Sequence, residues 1–218
     1  MKKILPNLNE FKEILKISIL FNYPDNDSII TEIKTKLRYN IKNQNLLKII
    51  DEIISIYEAE KSLDTLQELY TLTFDLKPIF YPYLSYHIHY DSFNRNTEMI
   101  NLRDLYNKYN FHLDKEINEL PDHIFIVLKF LEFVNDEKIL KEIVENLIFP
   151  SLNNYYNSTF KQLKPEFIEK NPYSKLIQYI INSLGIKDGS KDSSNSFDYK
   201  SFSNLKNNLL NNGLKRGE

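Results

Sequence analysis

The first 184 residues of this 218-residue chain contain no glycine; Gly185, Gly189, Gly213 and Gly217 all lie beyond Leu184. Glycine lets a backbone close on a phosphate, both in the P-loop and in the dinucleotide-binding βα turn. Neither loop can be built before Gly185, which argues against nucleotide chemistry on those folds. The chain also has no cysteine. That removes thiolate nucleophiles, disulfides, cysteine-ligated zinc and iron–sulfur clusters together. A net charge of −2 argues against a phosphate-binding surface driven by bulk charge.

What the chain does carry is helical spacing. Ile14, Ile17 and Phe21 share a stripe that ends before Tyr23-Pro24. Asp27 or Ser28 can cap a second helix with Ile29, Ile33 and Leu37 inward. Leu46, Ile49, Ile50, Ile53, Ile54 and Tyr57 follow, then Leu63, Leu66, Leu69, Tyr70 and Phe74 after a capping Ser62. Pro78 and Pro82 break the chain inside FYPYLSYHIHY, whose alternating tyrosines also suit a strand. Asp91 or Ser92 can cap the next helix, with Met99, Leu102, Leu105, Tyr106 and Tyr109 inward. Phe125, Leu128, Leu131 and Phe133 mark a strongly apolar helix, and another runs from Asp136 until Pro150. A further one holds Leu152, Tyr155, Tyr156 and Phe160, and the last runs from Pro172 to Gly185.

These spacings predict an all-α, single-domain bundle of about eight to ten helices. The expected domain spans residues 1–186, and a polar, mobile tail follows over 187–218. In that tail Phe202, Leu205, Leu209 and Leu210 could form a short docking helix. The start, MKK, runs into Glu10, Lys12, Glu13 and Lys16, and the run Ile19-Leu20-Phe21 is too short for a signal core or a membrane span. A soluble, cytoplasmic protein is expected. Charge is uneven: residues 51–75 carry seven acids and one base, and residues 114–145 nine acids and four bases. Such bias gives a solvated helix face or a surface that receives a basic peptide.

The segment YHIHYDSFNR, from Tyr86 to Arg95, invites a metal or catalytic reading. His87 and His89 converge on one ion only on a strand; on a helix they lie about 200° apart. His87 and Asp91 can share a helical face, but two ligands do not close a site. No nucleophile-elbow serine accompanies them for acid–base work, and a deaminase-type zinc centre needs cysteines. The plain alternative is a helix end in which Asp91 caps the next helix and pairs with Arg95.

With its neighbours, the segment resembles the nitrate reductase delta subunit family. These are molybdenum-cofactor assembly chaperones related to the TorD-type redox enzyme maturation proteins. The family's Tyr-x-x-x-Phe-Asp helix end is matched by Tyr70, Phe74 and Asp75. Its His-x-His-Gly-Glu/Asp-Ser/Thr-x-x-Arg-Gly stretch is matched by His87, His89, Asp91, Ser92 and Arg95. Its Leu-Pro-Asp-His/Tyr-Leu is matched by Leu120, Pro121, Asp122 and His123, with Ile124 for the leucine. LFNYPD, from Leu20 to Asp25, and NPYSKLIQYIINSL, from Asn171, resemble the family's early and late segments. Tyr90 and Asn96 stand where the family has glycine, and Leu76-Lys77-Pro78 replaces a basic, glycine-containing turn. These departures bear on the client rather than on the family.

The resemblance implies an all-helical, TorD-like, non-catalytic protein with no resident cofactor. As partner it implies the apo catalytic subunit of a molybdenum reductase, bound through its N-terminal segment until the molybdenum cofactor is inserted. No nucleic acid and no membrane insertion are expected, and the protein would be a monomer or weak dimer. Aromatics Tyr70, Phe74, Tyr83, Tyr86 and Phe125 are the expected walls of a client groove. Asp75, Asp91, Glu119 and Asp122 are the expected receivers of client cations, although Asp91 and Asp122 also sit where helix N-caps belong. His87, His89, Arg95, Pro121 and His123 complete the expected client-binding set. Two other functions remain open on the sequence: a metal-dependent hydrolase using His87, His89 and Asp91, and a general helical adaptor.

Overall fold

The computed structural model describes residues 8–76, 78–89, 91–112 and 119–187, which form an all-α, single-domain bundle. The expected tail beyond Lys187, Lys77 of the Leu76-Lys77-Pro78 turn and Tyr90 lie outside the described residues. The bundle centres on α7 (Ile124–Val134), in which Ile124, Phe125, Ile126, Val127, Leu128, Phe130 and Leu131 are all buried. A helix apolar on every side needs partners on every side. On one of them α7 packs against α1 (Leu8–Lys16) and the 3-10 turn Ser18–Phe21. Phe133 differs from the expected inward stripe: at 58% exposed it faces solvent near the end of α7.

A long second helix follows Pro24. It comprises α2 (Asp27–Glu32), a π-helical turn Ile33–Leu37 and α3 (Arg38–Asn40). Its cap is Asn26 rather than Asp27 or Ser28: the Asn26 side chain accepts from Ser28 N at 2.9 Å. Asn43 caps α4 (Gln44–Glu60) in the same way, and Leu46, Ile49, Ile50, Ile53 and Ile54 are its buried stripe. The Glu13 carboxylate ties α1 to the start of α4 by accepting from Lys42 N and Asn43 N at 3.0 and 2.8 Å. Ser62 Oγ accepts from Asp64 N at the start of α5 (Asp64–Phe74).

Beyond the central loop come α6 (Ser92–Lys108), then α7, then α8 (Glu137–Ile143) and α9 (Phe149–Ser158). Pro150 does not end a helix as expected. A π-helical turn, Val144–Ile148, joins α8 to α9 directly before it. Proline lacks the N–H that an α-helix would bond, and a widened turn is where a helix accommodates that loss. A short α10 (Pro165–Glu169) was not evident from spacing. The last helix, α11 (Pro172–Ser183), starts on an Asn171 cap and closes through Gly185 at φ +68. It packs on α4 and α5. Asn171 Nδ2 donates to buried Thr73 Oγ1 at 2.8 Å, and Lys175 bridges to Glu52 at 2.6 Å.

Candidate functional site

The aromatic segment after α5 is neither helix nor strand throughout. Tyr83 forms one antiparallel bridge with His123. Around it Ile124 N donates to Pro82 O at 2.8 Å and Leu84 N to Asp122 O at 2.9 Å. The strand-like alternation is spent on that single contact. Leu84–His87 then tightens into a 3-10 turn.

That turn separates the two histidines. The His87 ring stacks on fully buried Phe80 at 5.1 Å, and its Nε2 donates to Tyr81 O at 2.8 Å. Burial pushes its pKa below the ordinary value, against a smaller opposing effect from the Tyr81 carbonyl. His89 instead pairs through Nε2 with the buried Glu98 carboxylate. Among the described residues no three of His, Asp or Glu gather as metal ligands. Asp91 caps α6: its Oδ1 accepts from Asn94 N and its Oδ2 from Asn94 Nδ2, both at 2.8 Å. Those bonds hold its carboxyl below the usual range.

Arg95 does not take the expected ion pair with Asp91, which is committed to its cap. Its Nε donates to Ser85 Oγ at 3.3 Å, its Nη2 lies 3.9 Å from Asp122 Oδ2, and its guanidinium sits over the Tyr83 ring. Nor does Asp122 cap α7. It is fully buried and accepts instead from Ser85 N and Ser85 Oγ. The α7 cap falls to His123, whose Nδ1 accepts from Phe125 N at 3.2 Å. That bond leaves the ring proton on Nε2, and burial pushes the His123 pKa down to about 4. Pro121 O accepts from the buried Tyr106 hydroxyl at 2.7 Å. The Leu-Pro-Asp-His motif is therefore a joint that locks the 84–87 turn, α6 and α7 together.

Three expected groove walls face inward, because their rings are needed to fill the space between helices. Tyr70, Phe74 and Phe125 are 6%, 4% and 4% exposed. Tyr70 donates to Phe21 O at 3.0 Å and packs edge-on against Tyr23 and Tyr173. Asp75, at the end of α5, is exposed. Tyr86 is half exposed against Tyr81, with rings 4.3 Å apart. Tyr83 donates to Glu119 Oε2 at 3.0 Å. Burial, reinforced by Glu119, pushes the Tyr83 pKa up to about 12, and burial raises Glu119 as well.

Glu119 and Phe125 belong to a groove of about 930 Å³. Its other α7 residues are Lys129 and Glu132; the opposite wall comes from Lys16, Ile19, Tyr23, Asp25, Ile29, Glu32 and Leu37. Of the fourteen expected client-binding residues, only these two line it. Lys129 lies over the Phe125 ring at 5.3 Å. Burial raises the Glu132 carboxyl despite Lys16 and Lys129. The opposite wall was within reach of the sequence, because Tyr23 and Asp25 stand in the LFNYPD motif. Glu132 carried no signal beyond the acidic bias of its region.

A model of the nitrate reductase delta subunit family matches residues 37–160, more than half of the chain. The chain belongs to that family. No curated protein matches it. The family is one of maturation chaperones rather than of enzymes. In this delta-family chain the match takes in the histidine segment, the Leu-Pro-Asp-His joint and the α7 wall of the groove. The wall from Lys16 to Glu32 precedes the matched stretch, which begins at Leu37. No described helix is long and apolar enough to cross a membrane.

Proposed function

We propose that this chain is a cytoplasmic chaperone for the catalytic subunit of a molybdenum-containing reductase, of the nitrate reductase type. It holds the N-terminal segment of the apo subunit in the groove between α2 and α7 while the molybdenum cofactor is inserted. The cofactor is the client's cargo, and no turnover is asked of the chain itself.

The observation that carries this reading is the groove on a delta-family fold. A helix with side chains is about 10 Å across and rises 1.5 Å per residue, so about 930 Å³ holds roughly eight residues, or two turns. Half-buried Ile19 offers apolar contact beside the largely buried edges of Ile29 and Phe125, and Asp25, Glu32, Glu119 and Glu132 set four carboxylates against Lys16, Lys36 and Lys129. That combination suits an amphipathic helix with basic residues beside its apolar stripe. With several anchors buried, an affinity between about micromolar and nanomolar is expected, about −8 to −12 kcal/mol.

The histidine segment supports this role indirectly. His87, His89 and Asp91 are committed to a carbonyl, a carboxylate and a helix cap, and so shape the joint whose Leu-Pro-Asp-His motif lies between Glu119 and Phe125 in the chain. The test is a strain lacking this protein. Its reductase polypeptide should accumulate without molybdenum cofactor, measured by elemental analysis of the purified subunit. Full cofactor loading in that strain would refute the proposal.

A further inference from the structure

Between Tyr199 and Gly217 the sequence carries four cations, Lys200, Lys206, Lys215 and Arg216, and no carboxylate. In the same stretch Phe202, Leu205 and Leu209 recur at i, i+3 and i+7, the spacing of one helical stripe. This is the chemistry that the groove receives. Its own lysines are engaged within the wall: Lys36 lies 3.7 Å from Glu32, Lys16 donates to Asn40 O at 3.0 Å, and Lys129 sits over Phe125. Asp25 and Glu119 accept from neutral donors, Asn26 Nδ2 and the Tyr83 hydroxyl, and so keep negative charge for an added cation, while Glu132 is shared with Lys16 and Lys129.

Reach is sufficient. The fourteen residues from 188 to 201 separate Lys187 from Phe202, and extended they span up to roughly 46 Å. A domain of this size has a radius of gyration of about 16 Å, hence a half-circumference of about 65 Å, so the stretch covers well over half of that path; α11, from which it leaves, packs on α1, whose Lys16 lines the groove.

We infer that residues 199–217 dock in the groove between α2 and α7 and compete there with the client segment. This rests on the groove reading above. Tethering sets an effective concentration on the order of 1 mM. A segment with an intrinsic Kd of about 0.1 mM then weakens a competing peptide about tenfold. The tail thus sets a threshold: a tightly binding client displaces it, and weaker basic helices are turned away.

The absence of native cysteine makes the test direct. In the full chain carrying Ser203→Cys with a nitroxide label, amide signals of Ile19, Glu32 and Glu132 should broaden, and that of Phe167 on α10 should not. A fluorescein-labelled synthetic peptide of residues 199–217 should bind a full chain carrying Phe202→Asp, Leu205→Asp and Leu209→Asp about tenfold tighter than it binds the unaltered chain. Adding Glu32→Lys and Glu132→Lys to that variant should abolish the gain. Equal affinities, or broadening absent from the groove, would overturn the inference. A reductase N-terminal peptide that still binds the tail variant, and loses binding on the two charge reversals, would leave the groove reading standing. Indifference of that peptide to the reversals would remove the groove reading itself, whatever the label reports.

Discussion

Asp122 and Ser85, 37 residues apart, form one buried unit: Asp122 Oδ2 accepts from Ser85 N at 3.3 Å and from Ser85 Oγ at 2.5 Å. Arg95 supplies the opposing charge 3.9 Å away. Replacing Asp122 by Ala strands two donors and a cation, which should cost about 3 kcal/mol. Asp122→Asn keeps an acceptor in the same shape and should cost less. Urea midpoints at an unchanged m-value would order the three proteins.

His123 should make the fold acid-sensitive. Burial holds its pKa at about 4, while the unfolded side chain titrates near about 6.5. Between those values the unfolded chain takes up a proton that the folded chain refuses. This group's contribution is complete above about pH 6.5 and is lost as the pH falls toward about 4, by up to about 3 kcal/mol. Burial lowers the His87 pKa too, so it adds in the same direction. Urea midpoints measured from about pH 7 down to about pH 4.5 should fall less steeply for His123→Asn. That variant keeps a side-chain acceptor for Phe125 N and does not titrate.

Tyr70→Phe should leave the aromatic packing in place and remove only the bond to Phe21 O, made at 3.0 Å in a buried setting. The expected loss is about 1 kcal/mol. Denaturant unfolding would resolve it. No loss would mean that this hydroxyl does not hold α5 to the 18–21 turn.

Gly185 is the residue at which the last helix closes, at φ +68, and a Cβ built there meets nothing within 4 Å. Gly185→Ala therefore carries a backbone cost alone, about 1 kcal/mol. In a domain of this length that lowers Tm by roughly 2–4 °C. A larger drop in a thermal melt would mean that α11 repacks.

Much of the fold was legible because its elements are periodic. The stripes at Ile49, Ile50 and Ile53 and at Leu102 and Leu105 are buried as spacing required. Caps were less legible, because several polar residues compete at each helix start: Asn26 prevailed over Asp27, and His123 over Asp122. Pro150 misled because a π-helical turn can carry a helix through proline, and no local pattern announces one. At the site, the family motifs located the joint but, of the groove, little more than Tyr23 and Asp25. Asp122, His123 and Arg95 look like surface chemistry in sequence; Asp122 meets Ser85 from 37 residues away and Arg95 meets it from 10, while His123 caps the helix that follows it. Groove residues such as Ile29 and Glu132 come to one groove only through the packing of α1 and the 18–21 turn against α7, which sequence spacing does not encode.

The central claim is that the α2–α7 groove receives the N-terminal segment of a reductase catalytic subunit. Calorimetric titration of that synthetic segment into the unaltered chain and into the chain carrying Glu32→Lys and Glu132→Lys tests it most directly. Both substitutions lie on exposed helix positions, so the fold is retained. Micromolar or tighter binding to the unaltered chain, weakened at least about tenfold, or about 1.4 kcal/mol, by the reversals, is the predicted result. Equal binding by the two proteins, or none by either, would contradict it.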